Sequence, residues 1–136
     1  MLTGKLVVRC QSCLALFIGG WLIGIAGCGR AKFPPPVTFP VHGRLVVADG
    51  HPPLRTVVEF NPTEADLRAQ GITDEAGKFS LFLISHSERY EGALEGPHQV
   101  KVIFPLGADR KAAGDVTLKE TFVVESRENE FTINLP

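Results

Sequence analysis

Residues 69–84 read Ala69-Gln70-Gly71-Ile72-Thr73-Asp74-Glu75-Ala76-Gly77-Lys78-Phe79-Ser80-Leu81-Phe82-Leu83-Ile84, and the fold class turns on this stretch. Asp74 offers a side-chain acceptor for turn backbone, and Gly77 tolerates positive φ, so residues 74–77 read as a tight turn. Ala69–Thr73 before it is a short strand candidate. Lys78–Ile84 after it is a strand, with Phe79 and Leu81 spaced by two so that both enter a core.

The same period continues on either side. Val41, Gly43, Leu45 and Val47 alternate with His42 and Arg44, and Asp49-Gly50 then opens a turn that His51-Pro52-Pro53 lengthens. Thr56–Phe60 is a strand stopped by Asn61-Pro62, because proline cannot donate to a ladder. Gln99–Phe104 follows, ended by Pro105, and Thr121–Val124 and Glu130–Leu135 close the chain. No segment carries an extended helical stripe; Glu64–Gln70 has room for one turn. About seven short strands punctuated by Gly and Pro predict an all-β fold, a single antiparallel β-sandwich over residues 41–136. Two polar connections, Ser85–Pro97 and Leu106–Asp115, are expected to be loops.

Residues 1–27 are a different object. They hold 17 apolar side chains of 27, against 43 of 109 in the remainder. Lys5 and Arg9 precede an uncharged run, Cys10 to Gly27, that closes on Ile25-Ala26-Gly27-Cys28. A positive flank, an apolar run and small residues before a cut point are the architecture of an export signal. The last four residues resemble the bacterial lipobox, which implies that Cys28 is acylated and becomes the mature N-terminus. An uncleaved membrane anchor and a plain signal peptide cut near Ala26 are the alternatives. Cys10-x-x-Cys13 lies inside the segment expected to be removed. Residues 28–40, with Pro34-Pro35-Pro36, then form an acylated, extended tether.

Composition narrows the function classes. Without Lys5 and Arg9 the 14 basic residues become 12 against 15 acids, a net charge of −3, which gives no reason to expect nucleic-acid binding. The single remaining Cys, taken by lipid, leaves no disulfide to stabilise the domain.

Three further runs carry a family resemblance. Val41-x-Gly43-x-Leu45 with Asp49-Gly50-x-Pro52 and Val57-x-Glu59-Phe60-x-Pro62 is similar to the opening of carboxypeptidase-regulatory-like, or transthyretin-like, domains. Gly71-x-Thr73-Asp74-x-x-Gly77-x-Phe79-x-Leu81 and Glu91-Gly92-Ala93-Leu94-x-Gly96-x-His98-x-Val100-x-Val102 resemble later signatures of that group. Together with the lipobox they resemble small lipoproteins of planctomycete-type bacteria. The resemblance implies a prealbumin-like, Ig-like Greek-key sandwich. Pilin-type relatives join Lys and Asn of their first and last strands, but here the first strand offers Arg44, so Asn134 lacks that partner.

The side chains that carry chemistry are dispersed. His42, His51, His86 and His98 show no metal-ligand spacing and are expected to be solvated loop residues. Convergence of His51 with Asp49 or Asp74 at one end of the sandwich stays open. Ser85-His86-Ser87-Glu88 has catalytic residue types without a strand–turn scaffold to hold them. Phe60, Phe79, Phe104, Phe122 and Phe131 fall on inward strand positions; Tyr90, in the 85–97 loop with Arg89 and Glu91, is the aromatic left as a contact residue. The expectation is a non-enzymatic lipoprotein, with no catalytic residue, cofactor or metal assigned. It is held at the cell membrane or outer membrane through Cys28, facing the periplasm or exterior. It binds an envelope protein or polysaccharide, or serves as a structural element. The alternative is a metal-dependent or His/Asp-based hydrolase at the loop end of the sandwich.

Overall fold

The structure, a computed structural model, describes residues 29, 32–48, 50, 55–106 and 114–136. The expected signal, Cys10, Cys13, Cys28, Asp49, His51 and most of the 106–115 connection lie outside the described residues. Pro34–Pro136 forms one compact unit. Its strands are β1 (Thr38–Phe39), β2 (Val41–Val47), β3 (Val57–Pro62), β4 (Ala69–Ile72), β5 (Lys78–Ser80), β6 (Phe82–Ser85), β7 (Glu88–Glu91), β8 (Ala93–Leu94), β9 (Gly96–Ile103), β10 (Asp115–Val124) and β11 (Asn129–Leu135). No helix occurs among the described residues.

The chain is all-β and sandwich-like, with mostly antiparallel sheets. A large sheet runs β10-β9-β3-β4-β6-β7, a small one β11-β2-β5, and β1 pairs with β8. Alternation sets the inward faces. Val41, Gly43 and Leu45 of β2 are buried while His42, Arg44 and Val46 are exposed. Val58 and Phe60 of β3 face Val100 and Val102 of β9 in the same core that holds Ile133 and Leu135 of β11. The Phe60 ring lies 5.9 Å from Phe122 and from His98, 6.5 Å from Phe79 and 5.7 Å from Phe131. It therefore touches rings from both sheets.

Four expectations are corrected. The strand expected over Lys78–Ile84 divides at Leu81. Lys78–Ser80 pairs with β2 of the small sheet, whereas Phe82–Ser85 belongs to the large one. The Leu81 N–H donates to the Val41 carbonyl at 2.9 Å, and its carbonyl accepts from the Gly92 N–H at 2.7 Å. Leu81 is thus hydrogen-bonded toward both layers. The continuous apolar run conceals this, because Leu81 stays inward on either side of the division.

The sandwich is also not wholly antiparallel. β11 pairs with β2 in parallel, from Asn129↔Val41 to Leu135↔Val47. Residue alternation records which face is buried and carries no strand direction, so the sequence pattern is the same for either sense.

The Ser85–Pro97 connection is a hairpin followed by a further strand. β6 and β7 close with Ser85 opposite Glu88, and both central residues are left-handed, His86 at φ 50° and Ser87 at φ 68°. That is the primed geometry of two-residue hairpins, whose usual Asn-Gly signal is missing here. Finally, eleven strands are described against about seven expected, and Thr38–Phe39, within the stretch expected as tether, pairs with Ala93–Leu94.

The 74–77 turn forms as expected. Asp74 Oδ1 accepts from the Ala76 and Lys78 N–H groups at 2.9 and 2.8 Å, and Gly77 adopts φ 76°. Gly43 is required for another reason: a Cβ there meets the Phe79 ring and stands 2.9 Å from the Phe131 carbonyl oxygen.

Two stability outcomes follow from these placements. Phe60→Ala removes the ring shared by both sheets and costs about 3–5 kcal/mol in urea unfolding; a loss below about 1 kcal/mol refutes the shared-core reading. Ser87→Gly relieves the second left-handed turn position and raises stability by about 0.5–1 kcal/mol, and a lowered urea midpoint contradicts that turn geometry.

Candidate functional site

The outer face of the small sheet is polar and ordered by register. Its core-facing positions include Gly43, Phe79 and Phe131, so the alternate residues turn outward. Glu130, His42 and Ser80 form one row across β11, β2 and β5; Thr132, Arg44 and Lys78 form the next. Where the chain passes from β5 to β6, this face meets Ile72, Phe82 and Arg89 of the large sheet. The two together line an open groove of about 780 Å³, which Asp74 also borders.

The cations of the groove differ in their partners. The Arg89 guanidinium carbon stands 3.8 Å above the centre of the Phe82 ring, and its Nε is 2.7 Å from Glu91 Oε1. Arg44 reaches a backbone carbonyl, that of Ala76, at 3.4 Å. Among the described residues, neither Arg44 nor Lys78 takes part in an ion pair. They stand directly opposite each other in register, two like charges on neighbouring strands.

His42 joins two other groups of this face. Its Nδ1 is 2.9 Å from Ser80 Oγ, and its Nε2 is 3.7 Å from Glu128 Oε1. With the proton on Nε2, that nitrogen faces Glu128 and Nδ1 accepts from the Ser80 hydroxyl. A hydroxyl, a base and a carboxylate are the ingredients of a nucleophilic relay. His42 and Glu128 are both largely in solvent, with side chains 51% and 76% exposed, which weakens every electrostatic term. Sequence reading missed this trio because Ser80 lies 38 residues from His42; the β2–β5 register alone brings them together.

The remaining candidates fall elsewhere. His42 and Asp74 line the same groove, whereas His86 sits in the β6–β7 turn with Nδ1 2.9 Å from Ser85 Oγ. Tyr90 lies on the edge strand β7 instead of a loop. Its ring packs against the core, and its hydroxyl donates to Glu88 Oε2 at 2.8 Å, which raises the phenol above its ordinary value. Cys28 and His51 lie outside the described residues. No cluster of three His, Cys, Asp or Glu suited to a metal ion occurs among the described residues.

His98 corrects the expectation of a solvated histidine. It is fully buried on β9, with its ring beside Phe60. Its alternation with Val100 and Val102 was the available signal. The Gly96 carbonyl 2.9 Å from Nδ1 requires that nitrogen to be the donor, leaving the Nε2 lone pair without a partner among the described residues. Burial pushes the imidazole below its ordinary value, opposed in part by the Gly96 carbonyl.

Comparison of the chain with models of protein families, with curated proteins and with solved structures gives no match. The site is accordingly read from its own geometry.

The His98 environment sets a pH dependence. In the unfolded chain this histidine takes up a proton near pH 6.5, whereas the folded protein resists it to lower pH. Its contribution is therefore intact above about pH 6.5 and is lost as pH falls toward the folded-state value. Urea midpoints should fall between pH 7.5 and 5.5, and His98→Leu should flatten that fall. An undiminished fall in the variant rules His98 out as its source.

Proposed function

We propose that this chain is a non-enzymatic, lipid-anchored protein of the bacterial cell envelope whose sandwich domain binds an envelope partner. The groove carries the binding half of this reading. It collects Arg44, Lys78 and Arg89 on one concave surface, beside exposed Ile72, in a domain whose formal charge is otherwise negative. The anchor rests on Ile25-Ala26-Gly27-Cys28 at the end of an uncharged run. In this reading residues 1–27 are removed and Cys28 is acylated. Residues 28–40 form a tether whose last residues, Thr38–Pro40, are held by β8 and by the Asn129 N–H at 2.9 Å. Several acyl chains on one Cys make the attachment durable, where a single chain binds reversibly. The domain is placed outside the cytoplasm, on the cell membrane or outer membrane. Its fold is assigned to the transthyretin-like group, supported by two sheets around one core and by the 71–81 turn and strand.

In cells, Cys28→Ser should accumulate full-length precursor and abolish labelling by a palmitate analogue. Unchanged processing and labelling refutes the anchor.

A second reading has one observation behind it, the Ser80–His42–Glu128 string. If it is a hydrolytic centre, a fluorophosphonate probe labels Ser80 in the wild type and labelling vanishes in His42→Ala. We expect no labelling, because an exposed imidazole lacks the water-excluded setting that makes such relays effective. Stoichiometric labelling at Ser80 reverses the ranking of the two readings.

A further inference from the structure

Two observations concern what occupies the groove. The first is the like-charged pair. Arg44 and Lys78 are register partners on β2 and β5, and among the described residues neither meets a carboxylate. Like charges directly opposite each other on neighbouring strands oppose pairing of those strands. Two acids also line the groove: Asp74, whose Oδ1 is committed to two backbone N–H groups, and Glu130, which stands in the His42 row and makes no ion pair with either cation. An anion bridging Arg44 and Lys78 removes the repulsion and adds charge-assisted hydrogen bonds.

The second observation concerns the form of the ligand. Extended peptides dock on sheets by main-chain pairing with a strand edge. Here the outward edge of β5 is closed. The Lys78 N–H and carbonyl are bonded to the Asp74 carboxylate and N–H at 2.8 and 2.9 Å. The Ser80 carbonyl oxygen lies only 2.7 Å from where a Cβ of Gly71 would stand, so β4 covers it. What remains open is side-chain chemistry: two cations, the Ser80 hydroxyl, the half-exposed Ile72 and the Phe82 ring beneath Arg89. Sugar rings match this, with apolar faces for the ledge, hydroxyls for Ser80 and ring carboxylates for the cations.

From these observations we infer that the groove binds an acidic polysaccharide, with Arg44 and Lys78 gripping its carboxylates. The inference rests on the binding role proposed above and names its partner class.

The test is calorimetric titration of the full chain in detergent with polygalacturonate oligomers at low salt. Dextran serves as the neutral control and polyglutamate as the acidic peptide. Polygalacturonate should bind and raise the thermal midpoint, whereas dextran should do neither. Arg44→Glu/Lys78→Glu should bind about tenfold more weakly or worse. Lys119→Glu/Arg127→Glu makes the same change in net charge outside the groove and should leave binding intact. Arg44→Gln/Lys78→Gln, which removes the cation pair without setting two carboxylates in register, should leave the midpoint unchanged or raise it. Absence of polygalacturonate binding overturns the inference, as does equal loss in the control variant. Binding of polyglutamate as tight as that of polygalacturonate replaces the polysaccharide by an acidic protein. None of these outcomes bears on acylation of Cys28, so failure here and failure of the anchor are read separately.

Discussion

The Phe60 ring ties the two layers together, and the remaining architecture depends on that contact. β3 lies inside the large sheet, between β9 and β4, so its inward side chains meet the small sheet. Phe60 reaches Phe131 and Phe79 across the core and Phe122 and His98 within its own sheet, at centroid separations suited to tilted aromatic packing. A domain of this size has one core and little reserve of buried area. The ring contacts therefore do more than fill volume: they set which faces of the two sheets meet. Gly43 belongs to the same constraint, since Phe79 occupies the space its side chain would need.

From this packing the groove follows. Residues 78–85 leave the small sheet and enter the large one at Leu81, with Phe79, Leu81 and Leu83 all kept inward. The outward residues of the same segment, Lys78, Ser80 and Phe82, then line one side of an opening between the two outer faces. The parallel β2–β11 pairing adds His42 and Glu130 in one row and Arg44 and Thr132 in the next. Core packing and surface chemistry are thus opposite faces of the same strands. The position of the charges is a consequence of how the apolar side chains are buried.

Much of the fold was legible residue by residue. The alternation of β2, the Asp74–Gly77 turn and the inward Val100 and Val102 follow from period and turn chemistry, which act over a few residues. The β6–β7 hairpin was not legible, because His86 and Ser87 adopt left-handed φ without the residues that favour it. His98 was hidden by its polarity: its Nδ1 meets the Gly96 carbonyl locally while the ring is buried beside Phe60. Tyr90 was misplaced for the same reason as the hairpin, since a polar composition marks exposure and not the absence of pairing.

The sequence by itself determined the all-β character of the described residues beyond Val41, the face each alternating strand buries, and the Asp74–Gly77 turn. Those properties depend on neighbours in the chain, on side-chain period and on local backbone preference. Only the tertiary structure decided that Arg44 faces Lys78, that Ser80 meets His42, and that β11 runs parallel to β2. Each is a pairing between residues more than thirty positions apart. No local preference specifies such pairings; they are selected by which faces can be buried together around Phe60.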